Sequence, residues 1–248
     1  MLLSLFAGAS RRRTTLPGPV FFHHVPKTAG TSVIKAIRAL IPRRLRSTEE
    51  GNLSAGYVQR LVERGLQPGQ FIYGHPLTAA ALPLRGRTRI ATLLREPRDH
   101  VISNYLWLRL NREVPDHEAA MRLDLRAFLL ARPYFAIFQT GSLYAGIGPA
   151  QLLRAEDLIG QVPAVTAYLE EMDLVGTVDG VAGFFAELTR LLGWDTPPRL
   201  RHRNRTRPAA DLREALAEQF AAAQAEPALA PLFVAEQAVY DRARSLAG

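Results

Sequence analysis

The stretch Val20-Phe21-Phe22-His23-His24-Val25-Pro26-Lys27-Thr28-Ala29-Gly30-Thr31-Ser32 decides the fold. Val20 to His24 is a short apolar run following the turn signal Pro17-Gly18-Pro19, and it reads as a first strand. Beyond the loop, Val33, Ile34, Ile37, Leu40 and Ile41 recur at helical spacing, with Gly30, Thr31 or Ser32 available near the helix N-terminus and Pro42 as its stop. A strand, a short loop carrying Lys and Gly, and a helix form an arrangement suited to phosphate. Free backbone N–H groups and the positive end of the helix face the anion together.

Working outward, Asn52 to Arg64 predicts a helix through Leu53, Tyr57, Leu61 and Val62, and Gln70 to Tyr73 a strand ending at Gly74-His75-Pro76. Arg89 to Leu94 is apolar enough for a central strand of a parallel sheet, and Pro97 then opens a helix through Val101, Ile102, Tyr105, Leu106 and Leu110. Beyond Asp116 the pattern is mostly helical, interrupted by an expected Gly-rich turn region from Gly141 to Gly148. Asp173 to Val178 reads as a strand, Val181 to Leu192 as a helix, Arg199 to Arg207 as a basic loop, and Asp211–Ala223 and Pro227–Ala247 as terminal helices. Strands alternating with helices predict an α/β chain: a P-loop-like three-layer fold with a central parallel sheet flanked by helices and a helical C-terminal part. One domain over 1–248 is expected, its core about 18–248 and residues 1–17 a flexible N-terminal segment.

Composition narrows the chemistry. The 248 residues contain no cysteine, which excludes disulfides, thiolate metal sites and Cys nucleophiles. No run of about 18 apolar residues predicts a membrane span. Arg11, Arg12 and Arg13 follow the apolar opening instead of preceding it, the wrong order for a secretory signal, so a cytoplasmic protein is expected. A net charge of +8 attracts anions without choosing among them. Of the 31 basic residues only Lys27 and Lys35 are lysines; where arginine supplies the general charge, a retained lysine points to a need for a compact ammonium.

The loop is not a Walker A sequence, because Lys27 precedes Gly30 and no Gly-Lys pair occurs; nor is there a G-x-G-x-x-G fingerprint. The order His-Val-Pro-Lys-Thr-Ala-Gly-Thr-Ser at 24–32 instead resembles the 5′-phosphosulfate loop of carbohydrate sulfotransferases that use 3′-phosphoadenosine-5′-phosphosulfate (PAPS), especially the heparan sulfate 2-O-sulfotransferase type. The resemblance implies that Thr28, Ala29, Gly30, Thr31 and Ser32 wrap the 5′-phosphate and sulfate while Lys27 reaches the bridging oxygen. Leu94-Arg95-Glu96-Pro97-Arg98-Asp99-His100-Val101-Ile102-Ser103 resembles the 3′-phosphate segment of that family, in which an Arg at a strand end and a Ser eight residues on hold the phosphate. A guanidinium fork and a directed hydroxyl suit that anion. Glu96 stands where the family commonly has Asp, a change expected to alter helix capping more than binding. Arg98, Arg109 and Arg112 read by default as a solvated helix face.

Sulfuryl transfer needs a base for the acceptor hydroxyl and positive charge on the departing phosphate oxygen; no metal is expected. His75 is the preferred base, since Tyr73-Gly74-His75 resembles the family's Gly-His element; His24, beside the loop, is the second candidate. Arg205 and Thr206 are the residues of the basic loop picked to close over the donor, by a looser resemblance. The implied acceptor is a hydroxyl of a glycan or glycoconjugate, its cleft shaped by residues from about Asn111 to Gly148. Two alternatives stand beside this expectation. A P-loop-like kinase shares the anion loop but needs the missing Gly-Lys-Ser/Thr element. A nucleic-acid or polyanion binder fits the charge, yet the aromatic residues do not interleave with the arginine clusters, so no nucleic acid is expected as partner.

Overall fold

A computed structural model describes residues 18–46, 54–75, 82–145, 153–194, 200 and 210–247. Four strands, β1 (Val20–His23), β2 (Phe71–Gly74), β3 (Arg89–Leu94) and β4 (Leu174–Thr177), form one parallel sheet in the order β2-β1-β3-β4. Each predicted strand is present, shifted by one residue at one or both ends except β3, which keeps its expected bounds.

The strands are buried on both faces, which is why they read as continuous apolar runs. Side chains alternate between the faces with a period of two. Val20, Phe22, Phe71, Tyr73, Ala91 and Leu93 pack with α1 (Gly30–Leu40) and a later helix, Val181–Leu191. Phe21, Ile72, Ile90 and Leu94 face the other way, toward α2 (Ala55–Glu63) and two helices later in the chain, Val162–Glu171 and Ala230–Ala247. This is the expected three-layer arrangement.

Between β3 and β4 run α3 (Pro97–Leu110), α4 (His117–Arg122), α5 (Leu125–Ala131), a 3₁₀ turn at Pro133–Ile137, α6 (Phe138–Ala145), α7 (Ala155–Ile159) and α8 (Val162–Glu171). After β4 come α9 (Val181–Leu191), α10 (Ala210–Gln224) and α11 (Ala230–Ala247). A second, all-helical core forms where Val101, Tyr105 and Leu108 of α3 meet Phe128, Phe135, Phe138, Phe220 and Phe233. The expected turn at Gly141–Gly148 is corrected over its first five residues: Gly141 to Ala145 belong to α6. That segment is almost wholly buried, and burial without water favours the intrahelical hydrogen bonds of a helix over glycine's freedom to turn. Residues 146–150 lie outside the described ones, as do the expected N-terminal segment 1–17 and, apart from Leu200, the expected basic loop Arg199–Arg207. Among the described residues no helix is long and apolar enough to cross a membrane.

Candidate functional site

Strands β1, β2 and β3 end side by side, and beyond their C-terminal ends stand Lys27, His75 and Arg95. In an open parallel sheet this edge is the usual ligand site, at the point where successive connections diverge. Here the chain runs from β1 outward to β2 and then crosses back to β3, so that point lies between β1 and β3.

The loop after β1 is built to turn its N–H groups in one direction. Lys27 and Ala29 both have φ of 64°, left-handed values that non-glycine residues adopt at a cost of about 1–2 kcal/mol. Left-handed residues alternating with right-handed ones make a concave nest of N–H groups that suits an anion. Among the described residues the N–H groups of Thr28 to Thr31 have no backbone acceptor, whereas Ser32 and Val33 donate to the Ala29 carbonyl at 2.9 and 3.3 Å.

The carbonyls of His24, Val25, Pro26 and Lys27, by contrast, are each taken by a side chain. His75 Nδ1–H donates to the His24 carbonyl. The fully buried Thr28 hydroxyl donates to Val25 at 2.7 Å. His100 Nε2–H donates to Pro26 at 2.9 Å, and an Arg95 Nη reaches the Lys27 carbonyl at 3.5 Å. Four contacts thus offset the strain of the loop. They also show that the Thr28 side chain faces inward, leaving its N–H as the group available to an anion. Neither Thr31 nor Ser32 caps α1; Ala29 occupies that position without a side-chain bond.

Gly30 is required by packing. A Cβ there would stand 2.1 Å from His24 Cδ2 and 2.5 Å from His24 Nε2, so the imidazole occupies the space that any larger residue needs.

Lys27 is half-buried, its ammonium 5.4 Å above the centroid of the Trp107 ring, which is 39% exposed. Burial, and then the nearby Arg95 charge, lower its pKa to about 8. Arg95 has a second contact, 3.6 Å to the Asp99 carboxylate, while its Nε is buried with no partner among the described residues. Two cations of separate motifs, 68 residues apart, therefore lie close together with little to neutralise them. Ser103 is half-buried on α3, and among the described residues no hydrogen bond joins it to Arg95 or the loop. Glu96 caps α3, accepting the Asp99 N–H at 2.9 Å.

His75 and His24 lie ring against ring, centroids 4.6 Å apart. Since Nδ1 of His75 must carry the proton that it donates to a carbonyl, its Nε2 holds the free lone pair. Burial lowers the His75 pKa to about 4, the bond to the His24 carbonyl opposing the shift. His24 is pushed well below the ordinary value, by burial and then by His75 and His23. At neutral pH both rings are uncharged, the form in which an imidazole accepts a proton. Arg205 and Thr206 lie outside the described residues.

Arg109 departs from the solvated reading: it donates to the Tyr105 hydroxyl at 2.8 Å and the Ala120 carbonyl at 3.1 Å. Arg112 lines an open cleft of about 510 Å³ at the far end of α3, with Arg122 and Arg132, which pair with Glu118 at 3.2 Å and Asp116 at 2.7 Å. Sequence reasoning missed Trp107 and the buried Gln139, whose side-chain amide brackets the Arg95 backbone. Neither carries a local sequence signal, because tertiary packing alone brings each to the site.

No family model matches this chain, and no curated protein matches it. Among solved structures it is similar to a sulfotransferase from Alicyclobacillus acidocaldarius, 16% identical with a TM-score of 0.43, over 88% of this chain and 96% of that one. It is also similar to mouse sulfotransferase SULT7A1 complexed with PAP, 14% identical with a TM-score of 0.42, over 91% of this chain and 71% of that one. Likeness at that level does not specify an activity.

Proposed function

We propose that this protein is a sulfotransferase that uses PAPS to sulfate a hydroxyl group, carried by an anionic carbohydrate. One observation carries the proposal: Arg95 at the end of β3 lies against the Lys27 carbonyl, beside a nest whose N–H groups are free. A phosphate nest alone suits many nucleotides. A second, under-neutralised cation at the end of the neighbouring strand calls for a second anionic group, and a 3′-phosphate is what distinguishes PAPS from ATP.

The residues present fit that donor. The N–H groups of Thr28 to Thr31, with Ser32 at the same helix end, take the 5′-phosphosulfate; Arg95 and Ser103 take the 3′-phosphate; Arg205 and Thr206 close over it. PAPS supplies an activated sulfuryl group. The acceptor oxygen bonds to sulfur as the sulfur–oxygen bond to the 5′-phosphate breaks, and the acceptor proton passes to His75 Nε2. The Lys27 ammonium faces the charge left on the departing phosphate oxygen, and its lowered pKa makes it a readier hydrogen-bond donor there. An anionic acceptor is supported by the net charge of +8.

The test is thermal unfolding with 3′-phosphoadenosine-5′-phosphate (PAP), ATP with magnesium, or a random oligonucleotide. Saturating PAP at about 100 times its Kd adds roughly 2.7 kcal/mol, or about 5–10 °C for a chain of this size. Equal or greater stabilisation by ATP favours a kinase, and by the oligonucleotide a polyanion binder. Screening acceptors with labelled donor then tests the carbohydrate.

A further inference from the structure

Arg95 is held from behind by a buried relay that begins 141 residues later in the chain. The Gln139 side chain, 1% exposed, brackets the Arg95 backbone from both sides: its Oε1 accepts the Arg95 N–H at 2.8 Å and its Nε2 donates to the Arg95 carbonyl at 2.9 Å. A primary amide offers a donor and an acceptor in that planar arrangement at any pH. Gln139 is held in turn. Glu236 on α11, 2% exposed, accepts the Gln139 N–H at 2.8 Å through one carboxylate oxygen. Its other oxygen accepts the Thr140 N–H at 3.1 Å and the Thr140 hydroxyl at 2.7 Å.

A carboxylate buried this deeply is costly unless it is fully bonded. Here burial pushes the Glu236 pKa up, and the bonds from Thr140 and Gln139 oppose it. The three donors leave no place for a donor on residue 236, so an acceptor-only side chain fits where an amide does not. These bonds also satisfy N–H groups at the start of α6, fixing the helix that carries Gln139.

We infer that Gln139, set by Glu236, is a positioning residue that fixes the backbone of Arg95 and so aims its guanidinium at the anion site beside the Lys27 loop. The relay joins three elements distant in sequence, β3, α6 and α11, at the residue where a ligand phosphate is expected. A salt bridge to the guanidinium itself would compete with that phosphate. The Asp99 carboxylate, exposed and 3.6 Å from the guanidinium, is beyond hydrogen-bond reach. A clamp on the backbone restrains the side chain's origin without adding an anion to it, and the Nε stays buried with no described partner. The inference rests on the proposed function for its ligand but not for its geometry.

The experiment compares wild type with Gln139→Met, Gln139→Glu, Glu236→Gln and Arg95→Ala by two measurements on the full chain. PAP affinity comes from calorimetric titration. The state of the guanidinium comes from the Arg95 Nε–Hε resonance in nitrogen-15 spectra, assigned by its loss in Arg95→Ala. Gln139→Met is expected to weaken PAP at least tenfold and move the Arg95 resonance into the envelope of exposed arginines, and Glu236→Gln to do the same to a lesser degree. Thr140→Val, which removes one bond to Glu236 but none to Gln139, is expected to stay within twofold. Should Gln139→Met fail to unfold cooperatively, Gln139→Glu is read in its place, since it keeps the volume and, as a carboxylate, replaces the donor to the Arg95 carbonyl with a charged acceptor. An unmoved Arg95 resonance, or PAP affinity within twofold of wild type while Arg95→Ala loses it, overturns the inference. If wild type does not bind PAP but the resonance still collapses in Gln139→Met, the positioning stands and the donor assignment falls.

Discussion

Acidification probes two buried histidines, His100, which supports the loop, and His23, which ends β1 beside it. His23 and His100 are fully buried, and burial is the main reason their pKa values are lowered from about 6.5 to about 3. Above pH 6.5 both are neutral in the folded and unfolded chain and contribute no pH dependence. As the pH falls below 6.5 the unfolded chain takes up protons that the folded chain cannot, so stability is lost down to about pH 3, where the folded rings finally titrate. Each ring contributes a slope approaching 1.4 kcal/mol per pH unit, or about 2 kcal/mol by pH 5 and about 4 kcal/mol for the pair. His75, lowered to about 4, adds to the same slope. Against a total stability of about 5–15 kcal/mol, that loss is large. Glu171 and Glu236, whose pKa values are raised by burial, act in the opposite sense at lower pH, so the clean quantity is a difference between proteins. The assay is urea unfolding at pH 7, 6 and 5 at constant ionic strength, on wild type and on His100→Gln, whose amide can still donate to the Pro26 carbonyl. The variant is expected to lose about 2 kcal/mol less than wild type between pH 7 and 5. Equal losses in the two proteins would refute the claim that His100 is held neutral by burial.

Lys27→Ala and His75→Ala are each expected to reduce turnover by about 10² or more, with PAP affinity falling mainly in the former; single-turnover kinetics with labelled donor check this. Unchanged turnover in His75→Ala would move the base to His24. Gly30→Ala sets a methyl group within 2.1 Å of the His24 ring, and the overpacking is expected to cost about 1–3 kcal/mol in denaturant unfolding and to weaken PAP together with it. Glu96→Asp keeps a capping carboxylate at the start of α3 and is expected to leave PAP affinity within twofold and stability within about 0.5 kcal/mol, measured by titration and thermal unfolding.

The sheet and its loop were legible in the sequence because their signals are local. A strand buried on both faces must be an apolar run, a helix start must solve its own N–H bonding, and Lys27, His75 and Arg95 could be put just past strand ends by counting along the chain. The left-handed turns at Lys27 and Ala29 were not legible, since neither residue prefers that conformation; the side chains of His75, His100 and Arg95, arriving from three other elements, stabilise it. Gln139 and Glu236 look like an ordinary polar residue and an ordinary acid on helices. Only the packing of α6 and α11 behind β3 removes water from them and forces their bonds onto each other and onto Arg95. Local sequence thus determined which groups stand at the sheet edge, and the tertiary structure decided how they are aimed, because direction comes from contacts between segments that the chain order keeps apart.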